Sequence, residues 1–487
     1  MSDLDRHPER PPGAQPPHAP RAAVLAALAA GLVGAATLDG RVGAGMVACA
    51  AVAGLAGRLG RADPLDRWSR AWVGLAALLA AGAMLRDALW VVLPALCAAT
   101  LLMSLALAGG AGWAAVGRGL GRVLARAGSG PVAVAAGAWR LLPVGAGAAP
   151  ALRGAALAAA LLAVFGALFA SGDAAFERIV AAAIPDADLG ALPERALWGL
   201  LALALAGALA TVGRTREASA PGAARRLAPV EWGIALVALN LLFAAFVAVQ
   251  AGVLFGKRDH VLETAGLTYA EYAREGFAQL AVAAALTLAV AAGALRWARA
   301  EGRRERIVLR ALLAVLCGLT LVVVASAAHR LDLYQDAFGA TRLRLAAAAT
   351  IVWLGALLAL VLATAAAGRY AVLPRACVLA TALVVLGVVL IDPDRRIAER
   401  NVDRYARDAR IDLDYVRGLS ADAAPALAEL PPPERRYALT EIRLRLSEGD
   451  GWAEWNLARA RARDVLREAT PVAVREATPV ARREARP

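Results

Sequence analysis

Residues 296–344 read RWARAEGRRERIVLRALLAVLCGLTLVVVASAAHRLDLYQDAFGATRLR. Arg296, Arg299, Arg303, Arg304, Arg306 and Arg310 crowd one side of an apolar run at 308–327, and a mixed acidic and basic connection, 328–345, follows on the other. A run of that length crosses a bilayer as a helix. Arginine-rich short loops stay in the cytoplasm. This one stretch therefore predicts a transmembrane helix with a cytoplasmic start.

The pattern repeats in both directions. Apolar stretches at about 22–38, 43–57, 71–85, 88–108, 154–171, 197–213, 232–254, 277–295, 308–327, 345–367 and 371–391 predict eleven spans. The connection at 58–70 carries Arg58, Arg61, Arg67 and Arg70. The one at 109–153 carries Arg118, Arg122, Arg126, Arg140 and Arg153 with no acid, and Arg214, Arg216, Arg225 and Arg226 follow the sixth span. Under an eleven-span count these loops share a side with 296–310, which places the N-terminus in the cytoplasm and the C-terminal tail outside. The connection at 172–196 is acidic, with Asp173, Glu177, Asp186, Asp188 and Glu194 against two arginines.

The fold class that follows is all-α, a polytopic transmembrane helical bundle with a small extracytoplasmic helical segment. Residues 1–21 are a Pro-rich polar tail and 22–108 the first helices. Residues 109–153 form a basic connection, in which Arg118, Arg122 and Arg126 make one helix face and 131–150 reads as re-entrant or peripheral. Residues 154–391 are the core bundle, 392–466 the outer segment, and 467–487 a tail with two copies of REATPVA.

Composition agrees. The chain has 487 residues, 60% hydrophobic, with a net charge of +13. The charge sits beside apolar runs, so membrane lipid is the expected partner and nucleic acid is not. An envelope protein is a candidate partner. Lys257 is the single lysine, which looks like coding bias in a GC-rich bacterial genome. Cys49, Cys97, Cys317 and Cys377 all lie in apolar runs with no CxxC spacing, so neither zinc nor a disulfide is expected. No Gly-rich phosphate loop, G-x-S-x-G or His-x-x-x-His occurs, and no cofactor is expected.

Polar residues inside the spans are few. Asn240 and Gln250 read as helix-to-helix hydrogen-bonding groups, and buried acids that would couple a transporter to ions are missing. The informative residues lie in the connections at 255–276 and 328–345 and after the last span. Asp332 and Asp336 share a face if that connection is helical, and acids there pair more often with arginines such as Arg342 and Arg344 than they do acid–base chemistry. His260 stands beside Asp259 without metal-ligand spacing. In the tail, helical composition runs over 394–409, and Ser420 is placed to cap a short helix at 421–430. Pro431–Pro433 break the chain. Leu439, Ile442 and Leu446 follow helical spacing, as do Trp452 and Trp455 in a further helix.

Gly339, Thr341, Arg342 and Arg344, then Pro393, Asp394, Ile397, Ala398, Asn401, Val402, Asp403 and Arg404, then Asp414, Tyr415, Leu419, Ser420, Asp422, Ala423 and Pro425 form a series. It resembles the signature segments of a family of bacterial multi-pass membrane proteins known only as a domain of unknown function. Trp452 and Trp455-Asn456 also fit. The chain departs at Phe338 and Ala340, where the family tends to Tyr and Leu, and at Asp392 in place of Asn. The resemblance runs from about residue 150 onward and implies a membrane bundle but lends no activity. The motif candidates are His260, Asp332, Tyr334, Asp336, Thr341, Arg342, Arg344, Asp392, Asp394, Asn401, Asp403 and Arg404.

Three functional readings follow. The first is a non-enzymatic envelope protein for sensing, scaffolding or regulation. The second is an enzyme on a lipid-linked substrate at the outer leaflet, using Asp332, Asp336, Asp392 or Asp394, with Arg342 and Arg344 on a phosphate. The third is a transporter. One or both of those arginines are expected to pair with acids of the exit segment or with Asp332 and Asp336, fastening the tail to the bundle.

Overall fold

The computed structural model describes residues 20–38, 41–61, 63–109, 192–212, 229–255, 277–298, 300–447 and 449–468, with a few isolated positions between 112 and 134. Among the described residues all regular structure is helical. In chain order the apolar helices are α1 (Arg21–Thr37), α2 (Ala44–Gly60), α3 (Arg67–Leu85), α4 (Leu89–Ala108), α5 (Leu192–Val212), α6 (Pro229–Phe255), α7 (Phe277–Trp297), α8 (Arg303–Phe338), α9 (Arg342–Ala367) and α10 (Leu373–Leu390). Ten of the eleven expected apolar stretches fall on these helices. The eleventh, 154–171, lies outside the described residues, as do the Arg118–Arg122–Arg126 stripe and almost all of 131–150. Among the described residues, five helical stretches are long and apolar enough to cross a membrane: Arg67–Leu85, Leu89–Ala108, Arg303–Asp336, Arg342–Ala367 and Tyr370–Leu390. The apolar portions of α1, α2, α5, α6 and α7 are shorter.

Each helix forms for a local reason and packs for another. Asp66 caps α3 by accepting the Ser69 N–H at 2.7 Å, and Thr341 caps α9 by accepting the Arg344 N–H at 3.3 Å. Gly368, left-handed at φ 64°, ends α9. Small residues then let helices approach closely. A Cβ on Gly34 of α1 would lie 2.5 Å from the Ala202 Cβ of α5. Leu313, Leu316 and Cys317 of α8 are fully buried where it meets α6, α7 and α9. A second cluster joins α3 and α4 to α10 through Leu79, Ala95 and Val389. The outward faces stay apolar: Leu32, Ile234, Leu241, Leu242, Leu286 and Val352 are each more than 60% exposed. Large apolar side chains exposed on several helices suit hydrocarbon rather than water.

Residues after α10 form a helical cap with its own core. It comprises α11 (Pro393–Asp408), α12 (Leu413–Arg417), a 3₁₀ turn at Ala421–Ala423 running into α13 (Ala424–Leu427), α14 (Pro432–Ala438), α15 (Thr440–Arg445) and α16 (Leu457–Glu468). Ile397, Leu419, Leu427, Leu430, Leu439 and Ile442 are fully buried together, and Ala340 from the α8–α9 turn joins them. Bundle and cap thus share one core at this point.

Two details of the tail and one of the α8–α9 connection differ from the sequence reading. Ser420 makes no side-chain cap; its hydroxyl donates to Asp422 Oδ2 at 2.9 Å, a stronger acceptor than it could find in a short helix. Trp452 lies in a turn and Trp455 in the extended residues before α16, because the segment is spent on backbone contacts to α2. The mixed acidic and basic connection at 328–345 is shorter than expected, since α8 continues as helix to Phe338.

The bundle has two distinct ends. The α1–α2, α3–α4 and α8–α9 connections and the exit of α10 all meet the cap. At the other end Arg61 donates to the Ala106 and Leu107 carbonyls at 2.7 and 2.8 Å, Arg375 lies 5.2 Å from the Trp68 ring, and Arg310 lies 5.8 Å from the Tyr370 ring.

Candidate functional site: the junction between bundle and cap

Asp392 ends the last apolar helix in a left-handed conformation, φ 58°, which aspartate tolerates better than most side chains. Pro393 then opens α11 at its first turn, where a missing N–H costs nothing. The kink turns Asp394, one residue later, back toward the bundle. Its side chain is 0% exposed and accepts four hydrogen bonds from three directions. Arg342 of α9 gives Nε at 3.0 Å and Nη2 at 2.5 Å, Trp90 of α4 gives its indole N–H at 3.0 Å, and the Ser420 backbone N–H adds one at 2.9 Å. Burial by itself would raise this carboxyl. The Arg342 hydrogen bonds and charge, with Ser420 and Trp90, outweigh it and hold Asp394 below the usual carboxylate range. The Arg342 backbone N–H donates to the Tyr415 hydroxyl at 2.7 Å, so one residue grips the cap twice.

A second group lies beside it. Arg86, in the α3–α4 connection, donates Nε to the Val389 carbonyl at 2.7 Å and Nη2 to the Leu390 carbonyl at 3.1 Å, and meets Asp392 Oδ2 at 2.5 Å. It therefore satisfies the otherwise orphaned carbonyls at the end of α10 and the acid that follows. Asp422 of the cap, also buried, accepts the Asp87 and Ala88 N–H groups at 2.8 and 3.1 Å. Arg86 Nη1 reaches both acids, Asp392 Oδ2 at 2.5 Å and Asp422 Oδ1 at 3.7 Å, and the Oδ1 of each carboxyl is buried with no hydrogen-bond donor. Burial first, then the charge of Asp392, pushes Asp422 up to about 7, against the Asp87 N–H and the Ser420 hydroxyl. Asp392 is also raised, by burial above all, with Arg86 opposing.

A third group anchors the end of the cap. Arg459 of α16 bonds Asp450 at 3.1 Å, Asp87 at 2.7 Å and the Val42 carbonyl at 2.7 Å, and also donates to the Glu454 carbonyl. Arg463 reaches Asp450 at 2.8 Å. Asn456 caps α16 through the Ala458 N–H at 3.0 Å while its amide donates to the Ala83 and Arg86 carbonyls, each at 2.9 Å. The first N–H groups of α2 are taken up by cap carbonyls, Ala44 to Trp455 at 3.1 Å and Gly45 to Ala453 at 2.7 Å.

The expected motif residues divide sharply. Arg342, Asp392, Asp394 and Asn401 converge here; Asn401 donates to the Ala340 and Ile397 carbonyls at 2.9 and 2.7 Å. Gly339, at φ 82°, is needed beside it, because a Cβ would lie 2.5 Å from Asn401 Oδ1. Arg404 lies against the same glycine. Thr341 serves as a helix cap. Among the described residues Arg344 meets no acid: it donates to the Phe338 carbonyl at 3.1 Å and to that of Gly339, and its guanidinium sits 4.2 Å from the Tyr334 ring centre. Asp332 and Asp336 are exposed, and neither meets Arg342 or Arg344; Asp332 lies 3.9 Å from Arg400. Asp403 is exposed. His260 lies outside the described residues. Sequence reasoning missed Arg86, Asp87 and Trp90, although a charged Arg-Asp pair in a three-residue connection between apolar spans was a usable signal. It also left out Arg459 and Asp450.

Asn240 behaves as the sequence suggested, donating to the Leu236 and Leu312 carbonyls at 2.8 and 3.1 Å. The Gln250 side chain lies outside the described ones.

The described residues form an all-helical protein with helices long and apolar enough to span a membrane, closed at one end by a cap held through buried carboxylates. Residues 73–430 match the family described as Domain of unknown function (DUF4153), and the chain belongs to it. The match starts well before residue 150 and takes in most of α3, all of α4 and the Arg86–Asp87–Trp90 group. No curated protein and no solved structure matches the chain.

Proposed function

We propose that this is a non-enzymatic multi-pass protein of the cell membrane, with its arginine-rich end in the cytoplasm and its cap outside. The cap serves sensing, scaffolding or regulation at the envelope. The observation that carries the reading is the closure of the junction: Asp394 is wholly buried and fully used by its four donors. A carboxylate so occupied has no lone pair aimed at a substrate, and its charge is already balanced. The arginines at the opposite end supply the orienting asymmetry.

The second reading, an enzyme on a lipid-linked substrate, draws support from a different place. Asp332 and His329 line an open cleft at the edge of the cap. The two readings separate in one experiment. Purified protein is incubated with envelope lipids and lipid-linked sugars, and the products are analysed by mass spectrometry. The non-enzymatic reading expects no turnover from wild type with its cap docked. Turnover that Asp332→Asn abolishes would replace it with the enzyme.

A further inference from the structure

The cleft just mentioned lies between the end of α8, the start of α9 and α11, and has a volume of about 580 Å³. One wall is apolar: Leu345, Ile351 and Val352 of α9 with Ile391 at the exit of α10. The other wall is polar: His329, Asp332 and Gln335 of α8 with Arg396 and Arg400 of α11. The apolar wall lies on membrane-length helices and the exit of α10, while the polar wall joins the last turns of α8 to the first helix of the cap, so the cleft sits where an apolar span gives way to the cap, the level at which a lipid headgroup sits.

Arg396 and Arg400 are one helical turn apart on one face. Like charges at that spacing are destabilising on a helix unless something between them is negative. Their neighbour Arg395 has such a partner, Glu399 at 2.8 Å. Arg400 reaches Gln335 at 2.9 Å and Asp332 only at 3.9 Å, with both ionic side chains more than half exposed. Among the described residues, no side-chain hydrogen bond or ion pair occupies Arg396. Two cations therefore face an open cleft holding one carboxylate, and the excess is positive. Arginine is suited to phosphate because its planar fork presents paired donors.

We propose that this cleft binds an anionic phospholipid of the leaflet on the cap side. Arg396 and Arg400 hold its phosphate, the apolar wall takes the start of an acyl chain, and Asp332 and Gln335 accept hydrogen bonds from headgroup hydroxyls. The arginines expected from sequence to hold a phosphate, Arg342 and Arg344, are occupied elsewhere; the available pair is on α11. The proposal rests on the membrane reading above but not on which end is cytoplasmic.

The test is native mass spectrometry of the full chain released from detergent micelles holding equal phosphatidylglycerol and phosphatidylcholine. Wild type is expected to retain phosphatidylglycerol preferentially. The double variant Arg396→Gln/Arg400→Gln should lose about tenfold or more of that retention. Arg303→Gln/Arg304→Gln, at the opposite end, should match wild type. Both arginines of the first variant are exposed, and protease resistance of the cap checks that it remains folded. Equal retention of the two lipids, or undiminished retention by the α11 variant with a folded cap, overturns the proposal. So does loss in the opposite-end variant alone, or displacement of the lipid by inorganic phosphate at the same concentration, which would mark a free-anion site. Membrane orientation is read separately by thiol labelling, so a failure of the topology cannot be mistaken for a failure of the lipid site.

Discussion

The two ends of the bundle use the same residue, arginine, in opposite ways. At the cap end Arg342, Arg86 and Arg459 are directed at buried or half-buried carboxylates, with contacts of 2.5–2.7 Å to Asp394, Asp392 and Asp87. At the other end Arg58, Arg67, Arg70, Arg296, Arg303, Arg304 and Arg306 are exposed, while Arg61 and Arg375 find carbonyls and a ring. The difference teaches that arginine count and arginine energetics are separate quantities. Orientation in a membrane depends on the number of positive charges near the spans. Fastening depends on one geometry in a dry place, where removing a partner leaves a charge uncompensated.

The largest effect should come from breaking the buried side of that contrast. Asp394→Asn keeps the shape but removes the charge that Arg342 reaches with two nitrogens. A fully buried pair would lose roughly 3–5 kcal/mol. Arg342 is 37% exposed and can be rehydrated, so about 2–3 kcal/mol is expected. The cap should become sensitive to added protease and thermal unfolding in micelles should drop, while membrane insertion is unchanged. Arg304→Gln at the other end should move stability by about 0.5 kcal/mol or less. If both variants behave alike, the contrast between the ends is wrong.

A smaller effect is expected from pH, and it acts through Asp422. Its folded value of about 7 lies above the ordinary 3.8, so the docked cap binds a proton that a released cap gives up. Stability from this group is therefore greatest at low pH and is lost as pH rises between those values. Asp394 acts in the opposite sense: its contribution is present above the usual carboxylate range and is lost as pH falls through its depressed folded value. Protease release of the cap should thus grow from pH 5 to pH 8. Asp422→Asn removes the titrating group and should flatten that slope. The groups facing this carboxyl are Arg86, Asp87, Asp392 and Ser420. An unchanged slope in Asp422→Asn would assign the titration to another group.

The contrast was partly legible in the sequence. Hydrophobic runs and loop charge gave the helices and the two-ended character, because length and apolarity are properties of a single segment. Arg342 with an acid of the exit segment was also readable, since both flank spans on the same side of the count. Arg86 and Asp422 were not paired in advance: they lie more than 300 residues apart and meet only once α4 packs against α10. Trp452 and Trp455 misled for a related reason. Their spacing fits a helix, but the carbonyls of Ala453 and Trp455 are needed by the first N–H groups of α2, which holds the chain out of helical form. Local pattern predicts local structure until a distant backbone competes for the same hydrogen bonds.

The smallest effect per residue should come from the exposed arginines, and it sharpens the comparison because it has a different readout. Arg61 is half-buried and satisfies two carbonyls at the end of α4. Arg61→Gln should cost about 1 kcal/mol and leave the cap as protease-resistant as in wild type. Arg303, Arg304 and Arg306 have no such contacts, so their single Gln variants should show no measurable change in stability. Their contribution is collective. Cysteines placed at Ala340, in the cap-end connection, and at Gly302, in the basic one, can be labelled with an impermeant thiol reagent in intact cells. In wild type the first is expected to react slowly until the cap is loosened by Asp394→Asn, and the second to stay protected throughout. Changing Arg303, Arg304 and Arg306 together to Gln should leave thermal stability in micelles unchanged but produce a fraction of molecules in which Gly302Cys is labelled, because orientation responds to the summed charge of a loop. If Gly302Cys is labelled already in wild type, the inside and outside assignments exchange. The buried clamp would then hold a cap that faces the cytoplasm, with its chemistry unaltered.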